Sequence, residues 1–598
     1  MIICQTQAQI ILQNSADEFW FSPHPLPFSQ KGEGSFLSLW ERLGEGAYDI
    51  IPTMNSKFLR NFSFSLLIIG YVYYIYRYII ATSFLIGGTT YYVLFDDAMI
   101  SMRYAYNLAH GLGPVWNAGE RVEGFTNPLW VGIMALVHLL PIGLNQTGLV
   151  IQIIGASFLT FNLFLVKKIV EHFTDDLLAM LAAVTLTAFY APLNSYGLLG
   201  MEVSLLVLML TAVIWLILKS DNRFDLWVYI LLAVSTLVRF DMAVPYIVIF
   251  IVLFIGQKDH RKQHLIWGLG LLMLFLGGQT LARYMYYGEL LPNTYYLKVE
   301  GWNFTLRILR GLYALVQFVY YSNWVLILLP FTLFLFRRDW KVTLLALILI
   351  GQAAYSVYVG GDAWENHGGA NRYIVIVMPV FFVAFSWSIV ELLKKAAEHL
   401  TTKDTKEHKG KILLAQDGGK SLFGIGWRVV FVVVFTFSLL NFNALIGEWK
   451  SIERWSFTRR PDYVAGGDRN LQIALALENV TRPGASVAVV GAGTIPYFLP
   501  DLYAMDILGK ADPYIAHQTV RTSMGIPDIP YMRPGHMKWD YAYTFGTLKP
   551  DVIASIWEGT AEEAAPYLED YVYATIAEGV KVYLRKDSLN ILWDKVNR

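Results

Sequence analysis

The chain has 598 residues, of which 55% are hydrophobic, 15% aromatic and 16% charged, and its mean hydropathy is +0.43. That is too apolar for a soluble chain of this size, and it predicts a polytopic α-helical membrane protein. The 47 basic residues balance 47 acidic ones, which excludes the basic field of a nucleic-acid binder, and the lone Cys4 excludes an internal disulfide or a thiolate metal site.

Residues 1–61 read as a disordered lead, because SPHPLPFSQKGEGSF is rich in proline, glycine and serine and has no signal-peptide core. Met54, followed by NSKFLRN and the first apolar run, is an alternative start, which would make the preceding 53 residues an upstream translation artefact. The run from Phe62 to Phe95 is 34 residues long. As helix it would reach about 50 Å, against a hydrocarbon core of about 30 Å. One crossing that ends at Asp96 is predicted, with Arg77 snorkelling toward the cytoplasmic side. Asp96 and Asp97 then stand where a hydrophobic helix leaves the bilayer, a place where two carboxylates are costly without a function.

The two aspartates open the first outer loop, 96–147, which starts within the stretch FDDAMISMRYAYNLAHGLGPVWNAGERVEGFTNPLW. Ala98–His110 forms an amphipathic helix in this reading, and 127–142, short and carrying Pro128 and Pro141, fits an interfacial helix better than a span. Further spans are predicted near 148–166, 177–193, 201–218, 226–241, 242–256, 264–283, 323–336, 341–358, 373–391 and 428–447, about eleven with the first, so that 62–447 forms the transmembrane module. The loops this topology calls cytoplasmic collect Lys167, Lys168, Lys219, Arg223, Lys258, Arg261, Lys262, Arg337, Arg338 and Lys341, as the positive-inside rule requires. The basic segment 394–420 reads as an unstructured cytoplasmic loop.

The chemically suggestive segments all fall on the opposite side. They are the Asp96/Asp97 loop, the turn at 239–241, YYGELLPNTYYLKVEGWN with the amphipathic helix after it, GGDAWENHGGANRY (360–373), and the chain beyond about 448. In that last part SVAVVG (486–491), YAMDILG (503–509), DVIASIW (551–557) and VKVYLRK (580–586) are strand-like and predict a small extracytoplasmic α/β domain over 448–598. GAGTIP, after the first of these, faintly echoes a dinucleotide-binding loop, but Pro496 stands where the third glycine belongs.

The blocks FDDAMISMRYAYNLAHGLGPVWNAGERVEGFTNPLW, LPNTYYLK, GGD with the NRY arginine, GAGTIPYF and DILGKADPYIA resemble, in that order, the mycobacterial terminal β-(1→2)-arabinofuranosyltransferases and their bacterial relatives. These belong to the GT-C class of lipid-linked-sugar glycosyltransferases. The resemblance implies a GT-C fold and a polyprenyl-phosphate sugar as donor. It further implies inverting transfer of a pentofuranose or hexose to a cell-envelope glycan or other acceptor hydroxyl, at the outer face of the cell (inner or plasma) membrane. An acid of the first outer loop would serve as base. The family pattern tolerates Glu at the first acidic position, which favours Asp97 over Asp96. The longer DAWENHGGANRY stretch departs from the pattern and leaves the donor sugar open.

An inverting transfer needs an acceptor hydroxyl deprotonated as it attacks opposite the leaving phosphate, and a partly buried carboxylate with a like-charged neighbour suits that task. Asp97 is the candidate base, and Asp96 orients the acceptor or holds an optional metal. The plain alternative is that the pair favours the N-terminus of the following helix. The lipid phosphate needs cations: Arg372 fits best, followed by Lys298, His367, Arg239 and Arg103. Lys298 and Arg239 are equally well placed as interfacial anchors, Arg239 and Asp241 as a structural ion pair, and Arg103 as a partner of Asp97. Substrate-binding candidates are Glu123, Asn127, Asn293, Tyr295, Asp362 and Trp116, with the aromatic belt as the alternative for the aromatic ones. No cofactor is implied, although Asp362, Glu365 and His367 with Asp96 offer donors for a divalent ion. The expected partners are the polyprenyl-phosphate donor, a glycan acceptor and membrane lipid. A protein O-mannosyltransferase-like enzyme is the nearest alternative. A lipid or sugar transporter is a second, but the sequence lacks the internal repeats of that class.

Overall fold

The computed structural model describes residues 56–337, 339–365, 370–407, 416–443, 450–461, 464–521 and 526–596. The predicted lead up to residue 55, Met54 and His367 lie outside the described residues.

Five described helices are long and apolar enough to cross a membrane: Lys57–Thr82, Leu144–Phe173, Lys258–Tyr287, Trp340–Tyr358 and Gly426–Asn443. Two bent pairs bring the number to seven. Leu177–Ala188 and Ala191–Leu198 meet at 47°, with Pro192 opening the second helix, and Phe304–Tyr321 and Trp324–Thr332 meet at 100°. The second break falls at Asn323, whose positive φ of 67° ends one helix while its side chain caps the next through Val325 N. Three predicted spans appear as the shorter apolar helices Val203–Lys219, Leu226–Val238 and Phe240–Gly256. At about 1.5 Å per residue a 13-residue helix reaches about 20 Å, less than a hydrocarbon core. The predicted interfacial stretch is the 11-residue Pro128–His138 helix.

The first apolar run is not one helix. The Ser56–Thr82 helix takes in the last six residues of the predicted lead and stops at Thr82, well short of Asp96. A β-hairpin follows, β1 (Ser83–Ile86) paired antiparallel with β2 (Thr89–Tyr92). Gly87 and Gly88 both have positive φ and form the two-residue turn that a right-twisted hairpin prefers, and Thr89, Thr90, Tyr91 and Tyr92 favour extended backbone. The basic segment also departs from expectation. The Met378–Glu407 helix carries through 394–407 and the next helix begins at Gln416, while 408–415 lie outside the described residues.

Residues 378–390 of that helix are buried throughout, so it runs through the middle of the bundle and packs on Leu177–Ala188. Contacts at its far part bring Lys341 and Lys394, each from a predicted basic cluster, to the end of the Leu144–Phe173 helix. Phe173 stacks on Trp387 at 4.7 Å, Lys341 meets His172 at 3.1 Å, and Lys394 pairs with Asp176 at 2.7 Å. The opposite end of the Leu144–Phe173 helix meets the hairpin, where Asn145 donates to the Thr90 carbonyl at 3.0 Å. The Asp96/Asp97 end and the basic end of the bundle are therefore opposite ends.

The C-terminal part holds a five-stranded mixed sheet of order β4-β3-β5-β7-β6: β3 Ser486–Val489, β4 Tyr503–Asp506, β5 Val552–Ile553, β6 Tyr571–Ala577 and β7 Val580–Arg585. β3 runs parallel to β4 and β5, and β7 antiparallel to β5 and β6. β6 escapes a reading by alternation because its register shifts between Thr575 and Ala577, a bulge that breaks the two-residue period. The sheet is sewn to the first loop. Asn117 bonds Ala504 of edge strand β4 in both directions, at 2.8 and 3.2 Å, and Trp116 donates to the Ala492 carbonyl at 3.2 Å.

Candidate active site

Asp96 and Asp97 occupy the first turn of the Asp96–Ala109 helix, where the exposed N–H groups favour acids. Successive residues there point about 100° apart, so the two carboxylates have different surroundings. Asp96 turns toward the GAGTIP loop, where its Oδ1 accepts from Thr494 N at 3.0 Å and Thr494 Oγ1 at 3.1 Å. Gly493 makes that approach possible: a Cβ on it would lie 2.1 Å from the Asp96 carbonyl oxygen. The glycines that echo a dinucleotide loop let backbone pass close to an aspartate.

Asp97 faces a cavity of about 340 Å³. Its Oδ1 accepts from Lys510 Nζ at 2.8 Å and its Oδ2 from Arg372 Nη2 at 2.9 Å. Arg372 is in turn clamped by Asp362, Nε to Oδ2 at 2.6 Å and Nη2 to Oδ1 at 3.1 Å. Asn371 caps the Arg372–Val375 helix that carries this guanidinium. Lys298, at the end of the Asn293–Val299 helix, lines the same cavity and makes no ion pair among the described residues. Lys510, Arg372 and Lys298 therefore share a single chamber with Asp97, whose lining also includes Arg239, Asp241 and Glu202.

The other predicted residues divide. Tyr295 and Asn127 line the chamber, and Asn127 donates to Glu202 at 3.0 Å. Asn293 holds up the Lys510 segment by donating to the carbonyls of Gly509 and Lys510 at 2.9 and 3.0 Å. Arg239 also faces the chamber but is engaged by Asp241, at 3.0 and 2.6 Å, and by Glu202 at 3.5 Å, which is the structural ion pair of the alternative reading. Arg103 does not approach Asp97. It donates to the carbonyls of Trp116 and Pro500 at 2.9 and 3.0 Å and ties the loop to the sheet. Glu123 pairs with Arg283 and borders a separate apolar cavity. Trp116 is buried at the sheet edge, outside the chamber. Of the suggested ion ligands, Asp362 holds Arg372 and Glu365 pairs with Arg310 at 2.7 Å. Among the described residues no cluster of three His, Cys, Asp or Glu could hold a metal ion.

Sequence reasoning missed Lys510 and Thr494. Both lie in blocks quoted for the resemblance, and Lys510 is the one basic residue of DILGKADPYIA. Nothing local connects Thr494 to Asp96 or Lys510 to Asp97, and Lys510 is separated from Asp97 by more than four hundred residues.

Burial alone would raise Asp97, but Lys510, Arg372 and Lys298 outweigh it and hold the carboxyl far below the usual range. Asp96 goes the other way, because burial outweighs the pull of Lys510 and the Thr494 N–H. Burial and then Arg372 bring the Lys298 ammonium down to about 8. Burial works against Asp362 too, yet Arg372 and Lys298 hold it at about 2. The lining carries one more cation than carboxylate, an excess that suits an anion beside Asp97.

Fold and site together describe a polytopic helical membrane protein with a cationic chamber at one end of its bundle. Residues 454–587 match a family model described as a domain of unknown function, DUF8728. A segment of 44 residues is 52% identical to a terminal β-(1→2)-arabinofuranosyltransferase of Corynebacterium glutamicum, covering 7% of this chain and 6% of that protein. Among solved structures, the chain is similar to ArnT from Cupriavidus metallidurans bound to undecaprenyl phosphate, at 12% identity over 87% of this chain and 98% of that one, TM-score 0.49. It is also similar to the Archaeoglobus fulgidus oligosaccharyltransferase, at 11% identity over 88% and 75%, TM-score 0.45.

Proposed function

We propose that the chain is an inverting membrane glycosyltransferase of the GT-C class, which moves a sugar from a polyprenyl-phosphate donor to an acceptor hydroxyl at the outer membrane face. The observation that carries this reading is Asp97 set in one chamber among Lys510, Arg372 and Lys298, the last of which makes no ion pair among the described residues. The 44-residue likeness to an arabinofuranosyltransferase supports the reading as a glycosyltransferase. The outward orientation is supported by Lys341 and Lys394 at the opposite end of the bundle, with the positive-inside pattern of the loops.

The donor is a phosphodiester that gains a second negative charge as its bond to the sugar breaks. Lys298, Lys510 and Arg372 stabilise that charge where it develops. As they turn to the phosphate, Asp97 loses the partners that depress it and becomes a stronger base. The acceptor hydroxyl gives its proton to Asp97, its oxygen bonds the anomeric carbon from the opposite face, and the polyprenyl phosphate departs with the electron pair. Membranes supplied with radiolabelled polyprenyl-phosphate sugars test the reading. Asp97→Asn is expected to lower transfer roughly a hundred- to ten-thousand-fold with expression unchanged. Full transfer by that variant would remove Asp97 from the role of base.

A further inference from the structure

A second cleft, of about 400 Å³, opens where the first loop meets edge strand β4. Its volume falls within the range of about 300–1,000 Å³ usual for small-molecule sites. It shares no lining residue with the Asp97 chamber. One wall is aromatic. The Tyr514 and Tyr543 rings lie 4.2 Å apart at 36° and form a bent platform, and Tyr503 stands beside them. Tyr514 is 47% and Tyr503 39% exposed, so both offer ring surface to whatever enters.

The polar groups of the cleft are mostly acceptors. Glu120 accepts from the Tyr503 hydroxyl at 2.5 Å and from Asn117 at 3.0 Å, and Asp512 accepts from the Ile515 N–H at 3.0 Å. Each carboxylate has further lone pairs for ligand hydroxyls. Asp506, also in the lining, is buried and holds the loop by accepting from Leu508 N and Ala511 N. Three carboxylates stand against Arg121, so the cleft carries the opposite sign to the chamber and repels phosphate. Flat aromatic faces with hydrogen-bond acceptors suit a ligand rich in hydroxyl donors and apolar on its ring faces, and the net negative charge turns away an anionic one.

We propose that this cleft, framed by Tyr503, Tyr514, Tyr543, Glu120 and Asp512, binds an uncharged oligosaccharide, the stretch of the glycan acceptor beyond the sugar that receives the transfer. The word acceptor rests on the transferase reading; the carbohydrate class rests on the cleft alone. Its position fits, because Asp512 on the cleft lies two residues from Lys510 in the chamber, and a single loop forms the wall between them.

The test is a calorimetric titration of the full-length protein in detergent with two neutral oligosaccharide series, one of pentofuranoses and one of hexopyranoses, and with a sulfated oligosaccharide. Saturable binding of a neutral series is expected, weakened roughly tenfold by Tyr514→Ala and less by Tyr543→Phe, which keeps the ring. The Asp97→Asn protein should bind as the wild type does. Absence of binding, equal affinity in the Tyr514→Ala protein, or tighter binding of the sulfated probe overturns the proposal. Should donor turnover proceed normally while the titrations fail, the cleft is misassigned and the transferase reading stands. Should the neutral series bind while no polyprenyl-phosphate sugar is turned over, the transferase reading falls and the carbohydrate cleft stands.

Discussion

The residue on which the proposed chemistry turns is defined by its partners. Asp97 and Asp96 are neighbours with the same side chain, yet one is held down by Lys510, Arg372 and Lys298 and the other is pushed up by burial beside Thr494. Lys298 gives a pH dependence of definite sign. Its ammonium, brought down to about 8 by burial and Arg372, is the form that the proposed reaction needs to attract a lipid phosphate. For the free protein, kcat/KM for the donor is therefore expected to be level below that pH and to fall as pH rises through it. Lys298→Arg should extend the plateau, since a guanidinium stays charged. A profile with the same descending limb in both proteins would assign the limb to another group.

Among the elements, the short loop before the Thr494–Phe498 helix matters most. It delivers the Thr494 N–H to Asp96, and it fits because Gly493 has no side chain to meet the Asp96 carbonyl. Gly493→Ala is expected to cost about 1–3 kcal/mol through overpacking against backbone, read as a lower midpoint of thermal unfolding. Transfer should fall with it, because the turn that aims Asp97 is displaced. An unchanged unfolding midpoint would mean that the loop yields without strain. The hairpin β1–β2 is a second element of consequence. It ends the first long helix early and leads the chain back to the Asp96–Ala109 helix.

At the scale of the molecule, bundle and sheet each supply part of the chamber. Asp97 and Lys298 come from the helical part and Lys510 from the segment after β4, joined by the contacts of Arg103, Trp116 and Asn117. The proposed orientation places the sheet outside the cell. Leu589, 88% exposed, offers a site to test it. With Cys4→Ser removing the native thiol, Leu589→Cys is expected to react with a membrane-impermeant maleimide on intact cells whose outer layers admit the reagent. Labelling only after lysis would reverse the topology and with it the outer-face assignment.

The sequence by itself determined the membrane class, most of the helices, four of the five strands of the sheet, and the conspicuous aspartates at the head of a helix. Those follow from composition, from periodicity along the chain and from the cost of charge beside lipid, all of which act locally. It also brought forward Arg372, Lys298 and Tyr295, which line the chamber with Asp97. Arg103 and Trp116 were equally conspicuous and proved to tie loop to sheet. Only the tertiary structure decided which side chains share the chamber, because Lys510 and Thr494 act on aspartates some four hundred residues away in the chain. Electrostatic pairing depends on distance in space, and no pattern of spacing along the chain encodes it.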